Sequence, residues 1–400
     1  MKVLVISHMY PSTFNEIGGV FVHEQVKALV AKGVEIQVVS PIPWTPFPIN
    51  YLSSKWENYS NIPERTIYER INIWYPHYIT FPRAWFFASS GQRMYLGIKD
   101  IALKIYKEFQ FDLIHAHVAL PDGFAGMNIA QKYKRPLIIT THGQDFQQTI
   151  FKSKKSKKNI EKVINFSKKS IVVSRKLKKI GEKYLQVNND KMIVVPNGIN
   201  MRDICTETSK NFKEYKGKKV ILSVSHLIKI KGIDLNLKAI AKLEQKYPDI
   251  IYLIIGKGEE KKELEKLVNK LNLQDVVIFI GEVPHYKVME YMASCDIFSL
   301  PSWNEGFGIV YLEAMAHGKP VIGCEGEGIE DFVEHDKSGL LVKPKDVDSL
   351  VKALDFLLSN PTKAQEIGKR ARDLVLKNYT WEKNAKKTIE VYREVLNNAF

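Results

Sequence analysis

The chain alternates short apolar runs with longer segments in which apolar residues recur every three or four positions. Apolar runs of about four to eight residues between turn residues predict buried strands, and the amphipathic segments predict the helices that cover them. The first series of predicted strands comprises Lys2–Ser7, Glu35–Ser40, Phe111–His117, Leu137–Thr141, Ser170–Val173 and Met192–Val195. The second series comprises Lys219–Ser225, Ile251–Ile255, Val276–Ile280, Asp296–Leu300, Pro320–Cys324 and Gly339–Val342. The pattern therefore predicts two doubly wound α/β halves.

The domain boundaries follow from the stretch between the two series. Residues 201–218 are polar without clear periodicity and predict a linker. We predict an N-terminal Rossmann-like domain over residues 1–200 and a second Rossmann-like domain over residues 201–378. Residues 379–400 form a helical segment opened by Trp381, and we expect this helix to pack back on the N-terminal domain.

The most informative stretch is residues 301–328, which follows the predicted strand Asp296–Leu300. A glycine-rich turn with Glu305 precedes an amphipathic helix that carries Glu313. Free N–H groups at the start of this helix, near residues 307–310, form an anion site, and carboxylates can accept hydrogen bonds from sugar hydroxyls. The pattern indicates a phosphorylated, hydroxyl-rich ligand. The alternative, a turn residue and a solvated helix residue, stays open on spacing alone.

The spacing of the two glutamates argues against one class of enzyme. Eight residues of helix span roughly 12 Å at 1.5 Å per residue. The carboxylate pair of a retaining glycosidase needs a separation of about 5 Å. Glu305 and Glu313 therefore fit two parts of one long ligand better than a close acid/base pair.

Three further positions are candidates for ligand contacts. Gly18-Gly19 precedes a helix and could admit a phosphate, although a flexible turn is an equal reading. Lys231 also precedes a helix, where a lysine can clamp a phosphate; the alternative is an ordinary surface lysine. His142 ends a predicted strand, where ligands bind in such sheets, although a lone histidine is more often structural. The sequence contains neither a G-x-G-x-x-G fingerprint nor a P-loop.

The net charge of +15 is unevenly distributed. The segment Lys152–Lys191 contains 14 Lys/Arg and 3 acidic residues, which leaves it at +11. Such a patch suggests an anionic surface, whether membrane, nucleic acid or acidic glycan. A solvated lysine-rich face is the alternative. Residues 41–90 form an irregular insertion with many aromatic side chains that could contact an acceptor or a membrane, or lie in the core.

Cysteines and acidic pairs give no sign of a metal. Cys205, Cys295 and Cys324 lack metal-ligand spacing and a disulfide framework, so we expect a cytoplasmic protein. Asp346 and Asp348 form the only Asp-x-Asp, but they follow a proline and open a predicted helix, which favours N-capping.

The assembled motifs resemble retaining glycosyltransferases of the GT4 family, which have the GT-B fold of two Rossmann-like domains facing across a cleft. The strongest match is the E-x7-E motif, Glu305 to Glu313, within Pro-Ser-x-x-Glu-Gly-Phe-Gly and Glu-Ala-Met-Ala-x-Gly-x-Pro-Val-Ile. Two positions depart from the family pattern. His226 stands where many members have arginine, and Gly326-Glu327-Gly328 replaces a common Gly-Gly pair.

The resemblance implies a role for each matching residue. The donor's sugar and diphosphate would be held by Glu305 and the backbone of Gly306, Phe307, Gly308 and Ile309. Glu313 would accept the ribose hydroxyls, and Lys231 would neutralise the leaving diphosphate beside His226. Gly18 and Gly19 would approach the donor phosphate, His142 would face the transferred sugar, and the backbone near Val283 would meet the base.

The implied function is transfer of a hexose, with retention of anomeric configuration, from a UDP- or GDP-sugar to a cell-surface polysaccharide precursor or a glycolipid. The implied reaction uses no metal or other cofactor, and domain closure would complete the site. The expected partners are the nucleotide-sugar donor, a glycan or lipid-linked acceptor, and an anionic membrane surface bound peripherally by Lys152–Lys191. Two alternatives stay open: a nucleotide-sugar epimerase with the same fold, and a non-catalytic basic protein. No nucleic-acid-binding motif supports the latter.

Overall fold

A computed structural model describes residues 1–15, 18–204 and 214–398 of the chain. Cys205 and half of the predicted linker over residues 201–218 lie outside the described residues. The strands are β1 (Lys2–Ile6), β2 (Glu35–Val39), β3 (Ile42–Pro43), β4 (Arg65–Tyr68), β5 (Ile71–Trp74), β6 (His77–Tyr78), β7 (Leu113–His117), β8 (Leu137–Thr141), β9 (Lys169–Val172), β10 (Met192–Val194), β11 (Lys219–Val224), β12 (Ile250–Ile255), β13 (Val277–Gly281), β14 (Ile297–Ser299), β15 (Val321–Cys324) and β16 (Leu340–Val342).

Apart from α2 and the short α5, which were not predicted, the helices cover the predicted amphipathic segments. They are α1 (Val20–Ala31), α2 (Ser54–Ser60), α3 (Ser90–Phe109), α4 (Phe124–Tyr133), α5 (Ile150–Lys152), α6 (Lys154–Phe166), α7 (Arg175–Tyr184), α8 (Ile233–Leu243), α9 (Lys261–Lys270), α10 (His285–Ser294), α11 (Ile309–Ala316), α12 (Val347–Ser359), α13 (Pro361–Asn378) and α14 (Trp381–Asn397). The chain divides into two compact units. Unit 1 is Met1–Asn197 with the segment from Trp381 onwards, and unit 2 is Gly198–Thr380.

Unit 1 contains an eight-stranded sheet in the order β10-β9-β8-β7-β1-β2-β5-β4, parallel except for the β4–β5 pair. The chain reverses its direction of winding between β1 and β7, and ligand crevices form at such points in open α/β sheets. The interpretation of residues 41–90 as irregular is wrong where helix α2 and the strands β3, β4, β5 and β6 form. Strand β5 extends the sheet beside β2, and its Ile71, Ile73 and Trp74 are buried.

Helix α14 belongs to unit 1 because its apolar face joins the core of that unit. Ala385, Ile389, Tyr392 and Val395 are buried with core residues of α1 and β1. Polar contacts fix the register, since Asn384 accepts a hydrogen bond from Gln25 at 2.7 Å and donates to the carbonyl of Pro196 at 2.7 Å. The helix therefore packs on unit 1 through matched apolar and polar contacts.

Unit 2 is built on a six-stranded sheet in the order β13-β12-β11-β14-β15-β16. Its pairs are all parallel. This 3-2-1-4-5-6 arrangement is that of a dinucleotide-binding Rossmann sheet, whose crevice opens at the carboxyl ends of the two central strands. Here those strands are β11 and β14. The predicted fold class, two Rossmann-like parallel α/β units, is confirmed.

Smaller expectations are also resolved. The side chain of Asp346 accepts hydrogen bonds from the backbone N–H groups of Asp348 and Ser349, so the N-capping interpretation of Asp-x-Asp is confirmed. Cys295 and Cys324 are both buried and unbridged. Within the described ranges, no helix has the length and apolarity that crossing a membrane requires.

Candidate functional site

The centre of the candidate site is the crevice between β11 and β14 in unit 2. The loop after β11 carries Lys231, and the loop after β14 carries Glu305. The two loops are joined by backbone contacts, because Trp303 N donates to the carbonyl of Ile230 at 2.9 Å, and Ser302 Oγ donates to the same oxygen at 3.1 Å. Lys231 and Glu305, which are 74 positions apart in the sequence, thereby meet at the carboxyl ends of these strands.

Lys231 and Glu305 form an ion pair within this crevice. Lys231 Nζ lies 2.6 Å from Glu305 Oε2, and both side chains are largely buried, with exposures of 20% and 15%. Ser302 Oγ donates to the same carboxylate oxygen at 3.3 Å. A part-buried lysine at this position is held in place rather than free on the surface, so the structure contradicts the reading of Lys231 as an ordinary surface lysine.

The turn after Glu305 presents backbone groups rather than side chains. Gly306 and Phe307 are buried, and the Phe307 ring packs on Phe332. Gly308 has φ of 89°, a conformation that favours glycine, and a side chain there would lie 2.5 Å from the Tyr311 ring. Helix α11 begins at Ile309, directly after the Glu305 turn, so the first backbone N–H groups of the helix could bind an anion there.

Glu313 lies on α11, about one helical turn after Ile309. Its Oε1 is 2.9 Å from Nε2 of His285, the first residue of α10. His285 was not singled out in the sequence, where it follows Val283-Pro284 and directly precedes a predicted helix. The pairing with His285 gives Glu313 a defined partner, and the role of Glu313 towards a ligand stays a prediction.

The remaining predicted residues of unit 2 lie on loops at the same sheet edge. His226 follows β11 and is exposed, and Val283 is half-buried in the loop between β13 and α10. Both loops follow the carboxyl ends of strands, where the topology predicts ligand contacts. The structure thus gathers His226, Lys231, Val283, Glu305–Ile309 and Glu313 at one edge of one sheet.

The other predicted residues belong to unit 1. Gly19 starts α1, and a side chain there would lie 2.3 Å from the carbonyl oxygen of Met9. Gly18 N donates to Asn15 Oδ1 at 2.9 Å. These contacts give both glycines a local structural reason, and residues 16–17 beside them lie outside the described residues. Their role in phosphate binding stays a prediction.

His142 is packed in a stack of aromatic rings after β8. Its ring centre lies 4.6 Å from that of Phe21 and 5.3 Å from that of His117, and its Nε2 is 3.0 Å from His117 Nδ1. Burial lowers the pKa of His142 to about 3, with a smaller contribution from His115. The imidazole is therefore neutral near neutral pH. Its Nδ1 is buried without a hydrogen-bond partner.

Two buried aspartates, Asp122 and Asp145, hold the loops at this edge of the unit 1 sheet. No role was predicted for either of them from the sequence. Asp145 accepts the backbone N–H groups of Ala119 and Leu120 at 3.0 and 3.4 Å. Burial raises the pKa of Asp145 to about 7. Asp122 Oδ2 lies 2.7 Å from His8 Nδ1. These carboxylates fix the loops after β1 and β7 at the carboxyl ends of the unit 1 strands.

A second candidate surface combines the lysine-rich segment with part of the aromatic insertion. In α6 the apolar residues face inward and the lysines outward, so Ile160 and Val163 are buried whereas Lys154, Lys155 and Lys158 are exposed. This arrangement places the positive charge of the helix on one solvent-facing side.

The aromatic insertion divides into a buried part and an exposed part. Trp74, Tyr75 and Tyr78 are buried, which agrees with the core alternative, but Trp85 and Phe86 are 62% and 70% exposed. The two segments are joined because Asn159 Nδ2 donates to the carbonyl of Ala88 at 2.7 Å, and Lys152 Nζ lies 5.0 Å from the centre of the Phe87 ring. We call residues 81–88 and the exposed face of 151–162 the basic-aromatic face.

Comparison with known proteins supports a transferase. The chain matches the family models Glycosyltransferase Family 4 over residues 18–203 and Glycosyl transferases group 1 over residues 206–374. It is 28% identical over 404 residues to the putative teichuronic acid biosynthesis glycosyltransferase TuaC of Bacillus subtilis (strain 168), covering 99% of each chain. It is 27% identical over 389 residues to the alpha-monoglucosyldiacylglycerol synthase of Acholeplasma laidlawii, covering 92% of this chain and 91% of the relative.

Solved structures of similar fold are also found. Sucrose-phosphate synthase from Thermosynechococcus elongatus superposes with a TM-score of 0.82 at 21% identity, covering 100% of both chains. HepE from Anabaena, in complex with UDP-glucose, superposes with a TM-score of 0.74 at 18% identity, covering 98% of this chain and 100% of that chain. At these identities the likeness shows the shared fold.

Proposed function

Because the chain belongs to the GT4-type glycosyltransferases with the GT-B fold, we propose that it transfers a hexose from a nucleotide-diphosphate sugar, with retention of anomeric configuration, to a polysaccharide precursor or glycolipid. The observation that carries this proposal is the Lys231–Glu305 pair beside the start of α11. One cation, one carboxylate and a set of free N–H groups match the charges and hydroxyls of such a donor.

Binding of the donor would change the ion-pair partner of Lys231. Lys231 now neutralises Glu305 at 2.6 Å, and a bound diphosphate would offer it a second anion beside the start of α11. Movement of Lys231 Nζ towards the diphosphate would leave Glu305 Oε2 able to accept a sugar hydroxyl. Glu313, 2.9 Å from His285, would take the ribose hydroxyls at the other end of the ligand.

The chemical step would be a displacement on one face of the sugar. The bond between the anomeric carbon and the diphosphate oxygen breaks, and a bond to the acceptor oxygen forms on the same face. The acceptor proton passes to an oxygen of the departing diphosphate, so no protein nucleophile is consumed. Lys231 and the α11 N–H groups would stabilise the negative charge that develops on the leaving group, which lowers the barrier directly.

His142 would act as a neutral group. Its lowered pKa makes a positively charged imidazole unfavourable at neutral pH, so we assign the role of cation for the diphosphate to Lys231. Its Nδ1 is buried without a hydrogen-bond partner, so a hydrogen bond from this atom to a hydroxyl of the transferred sugar would require the packing around the ring to open. His142 would therefore add no positive charge to the donor site.

The acceptor is proposed to lie at a membrane surface. The basic-aromatic face combines exposed lysines with exposed Trp85 and Phe86. Lysines are attracted to anionic headgroups, and tryptophan favours the membrane–water interface. The relative from Acholeplasma laidlawii is named as a synthase of a glucosyldiacylglycerol, and TuaC is named for a polysaccharide. Either class of acceptor is consistent with peripheral binding to an anionic membrane.

Two alternatives are less well supported. The epimerase is not favoured, because both family models and the named relatives are glycosyltransferases. Incubation with a nucleotide-sugar in deuterated water distinguishes it, since an epimerase exchanges the proton at C2 without an acceptor. A nucleic-acid-binding role would need a salt-dependent gel shift that persists at physiological salt.

The transferase proposal is tested by donor binding and consumption. UDP- and GDP-hexoses are added to the protein with EDTA present, and thermal shift and release of nucleotide are measured. We expect one donor to bind and to be consumed without added metal. A failure of every donor to bind contradicts the proposed function, whereas binding that requires a divalent ion contradicts only its metal-independence.

Membrane binding is tested separately by co-sedimentation with liposomes that contain or lack phosphatidylglycerol. We expect reversal of three exposed lysines, K154E/K155E/K158E, to weaken binding to anionic liposomes by at least about 100-fold, since removal of each lysine alone costs about 1 kcal/mol. The matched control is K261E/K262E/K270E on α9 of unit 2, where the lysines are also exposed. Equal loss in both variants, or binding that ignores anionic lipid, contradicts the assignment of this face.

A further inference from the structure

Glu327 is the second carboxylate at the Glu305 turn, and its contacts differ from those of the first. It is only 9% exposed, and its Oε2 accepts the backbone N–H of Glu305 at 2.5 Å. The next residue, Gly328, donates its backbone N–H to the Glu305 carbonyl at 3.3 Å. The segment 327–328 therefore holds the backbone of Glu305 at both its N–H and its C=O group.

The close approach of the two loops depends on Gly328. A side chain at this position would lie 2.4 Å from the carbonyl oxygen of Gly306, which is closer than real contacts allow. The backbone of 327–328 thus lies directly against the turn, and Glu327 is brought within reach of the Glu305 N–H. The contact arises from the packing of the loops and not from a chance orientation of a long side chain.

Two sets of contacts hold Glu305, one at its carboxylate and one at its backbone. Lys231 and Ser302 contact its carboxylate, and Glu327 contacts its backbone. Placing a nearly buried carboxylate near another carboxylate is unfavourable unless hydrogen bonds compensate. A carboxylate that accepts a backbone N–H makes one of the stronger hydrogen bonds in proteins. This contact is therefore strong enough to fix the position of the turn.

We propose that Glu327 is a positioning residue of the donor site, which fixes the orientation of the 305–308 turn towards the transferred hexose. The inference rests on the proposed function, because it assigns that turn to the donor sugar. Glu327 acts through the Glu305 N–H and requires no contact of its own with the donor. Loss of the carboxylate frees the turn, so the sugar half of the donor is affected more than the nucleotide half.

The test compares Glu327→Ala, Glu327→Gln and a matched control, Glu330→Ala. Glu330 lies three residues away on an adjoining part of the same loop, where its Oε1 accepts the backbone N–H of Gly326 at 2.7 Å. It thus loses a similar hydrogen bond that does not hold the Glu305 turn. Binding of UDP, GDP, UDP-glucose and GDP-mannose is measured by calorimetry. Donor hydrolysis is then followed for the nucleotide-sugar that binds best, and thermal unfolding checks folding.

We expect Glu327→Ala to reduce kcat/KM for the nucleotide-sugar about 10- to 100-fold, the loss of one hydrogen bond to a charged group. Affinity for the free nucleoside diphosphate should change less than about threefold, since its proposed contacts with Lys231, the start of α11 and Glu313 do not include the Glu305 carboxylate that would bind the sugar. Glu327→Gln keeps an oxygen that can accept the Glu305 N–H, so its loss should be intermediate, about three- to tenfold. Glu330→Ala should resemble the wild type.

Specific outcomes overturn the proposal. Equal losses for nucleotide-sugar and free nucleotide, or equal losses in the Glu327→Ala and Glu330→Ala variants, show a general effect on folding and not positioning. A folded Glu327→Gln variant as impaired as Glu327→Ala shows that charge, not the hydrogen bond, is what matters. If the wild type binds none of the four ligands, the proposed function itself fails, and that result is recognisable without any variant.

Discussion

Replacing Lys231 by alanine tests the role of the crevice most sharply among single substitutions. The side chain is 20% exposed and lies 2.6 Å from Glu305 Oε2, beside the start of α11. If this ammonium stabilises the charge on the leaving diphosphate, its removal takes away one preorganised electrostatic partner. Loss of one such group typically costs about 100- to 1000-fold in kcat, or about 3–4 kcal/mol of transition-state stabilisation.

The substitution also has a cost in stability that must be measured apart from activity. Removing the lysine leaves the part-buried Glu305 carboxylate with Ser302 Oγ at 3.3 Å and without its cation. We expect this to destabilise the protein by about 1–3 kcal/mol. Thermal unfolding measures that loss, and activity is compared at a temperature at which both proteins are fully folded.

The matched control is Lys229→Ala, two residues earlier on the same loop. Lys229 is 62% exposed and pairs with the buried Asp234 at 3.2 Å, and Lys238 contacts the same carboxylate oxygen at 2.8 Å, so we expect loss of Lys229 to cost only about 0–1 kcal/mol. Donor consumption is assayed by nucleotide release at saturating donor. A Lys231→Ala variant as active as Lys229→Ala would refute the assignment of Lys231 to the leaving group. Partial activity in Lys231→Arg would support a requirement for positive charge.

Three further outcomes are expected. Burial lowers the pKa of His142 to about 3 against about 6.5 in the unfolded chain, so the unfolded state binds the proton first and stability is lost as pH falls from about 6.5 towards 3. In urea unfolding, His142→Gln should reduce that pH slope by up to about 1.4 kcal/mol per pH unit, and an unchanged slope would contradict a neutral buried imidazole. Tyr392→Phe removes the hydroxyl 2.6 Å from His115 Nδ1 and should lower the free energy of unfolding by about 1–3 kcal/mol; a neutral effect would show that this buried contact contributes nothing. His285→Ala should weaken UDP binding about three- to tenfold by releasing Glu313, with a smaller effect on 2′-deoxy-UDP, and identical effects on the two ligands would refute a link to the ribose.

The parts of the fold that follow local patterns could be predicted from the sequence. The apolar strands of both series and the amphipathic helices between them are regular, and the parallel order then brings Lys231 and Glu305 to the same crevice. Strand β5 escaped prediction because it lies within an aromatic insertion whose apolar residues do not alternate cleanly. Its burial depends on pairing with β2, a contact across more than thirty residues that local pattern does not encode.

The partners of the candidate residues were harder to predict than the residues themselves. The E-x7-E spacing drew attention to Glu313, but its pairing with His285 depends on how α10 packs beside α11. The acidic residue in Gly326-Glu327-Gly328 was noticed as a departure, yet its contact with the Glu305 N–H depends on the approach of two loops. Likewise, which aromatic side chains of residues 73–87 are exposed was decided by tertiary packing and not by composition.

The central claim is transfer of a hexose from a nucleotide-diphosphate sugar with retention at the anomeric carbon. It is tested most directly by incubating the protein with each UDP- and GDP-hexose, EDTA and lipid or polysaccharide acceptors, and by following the anomeric proton by NMR. We expect an α-linked donor to yield an α-linked product together with free UDP or GDP. A β-linked product would contradict retention, and the absence of any glycosidic product with every donor would contradict the transferase function itself.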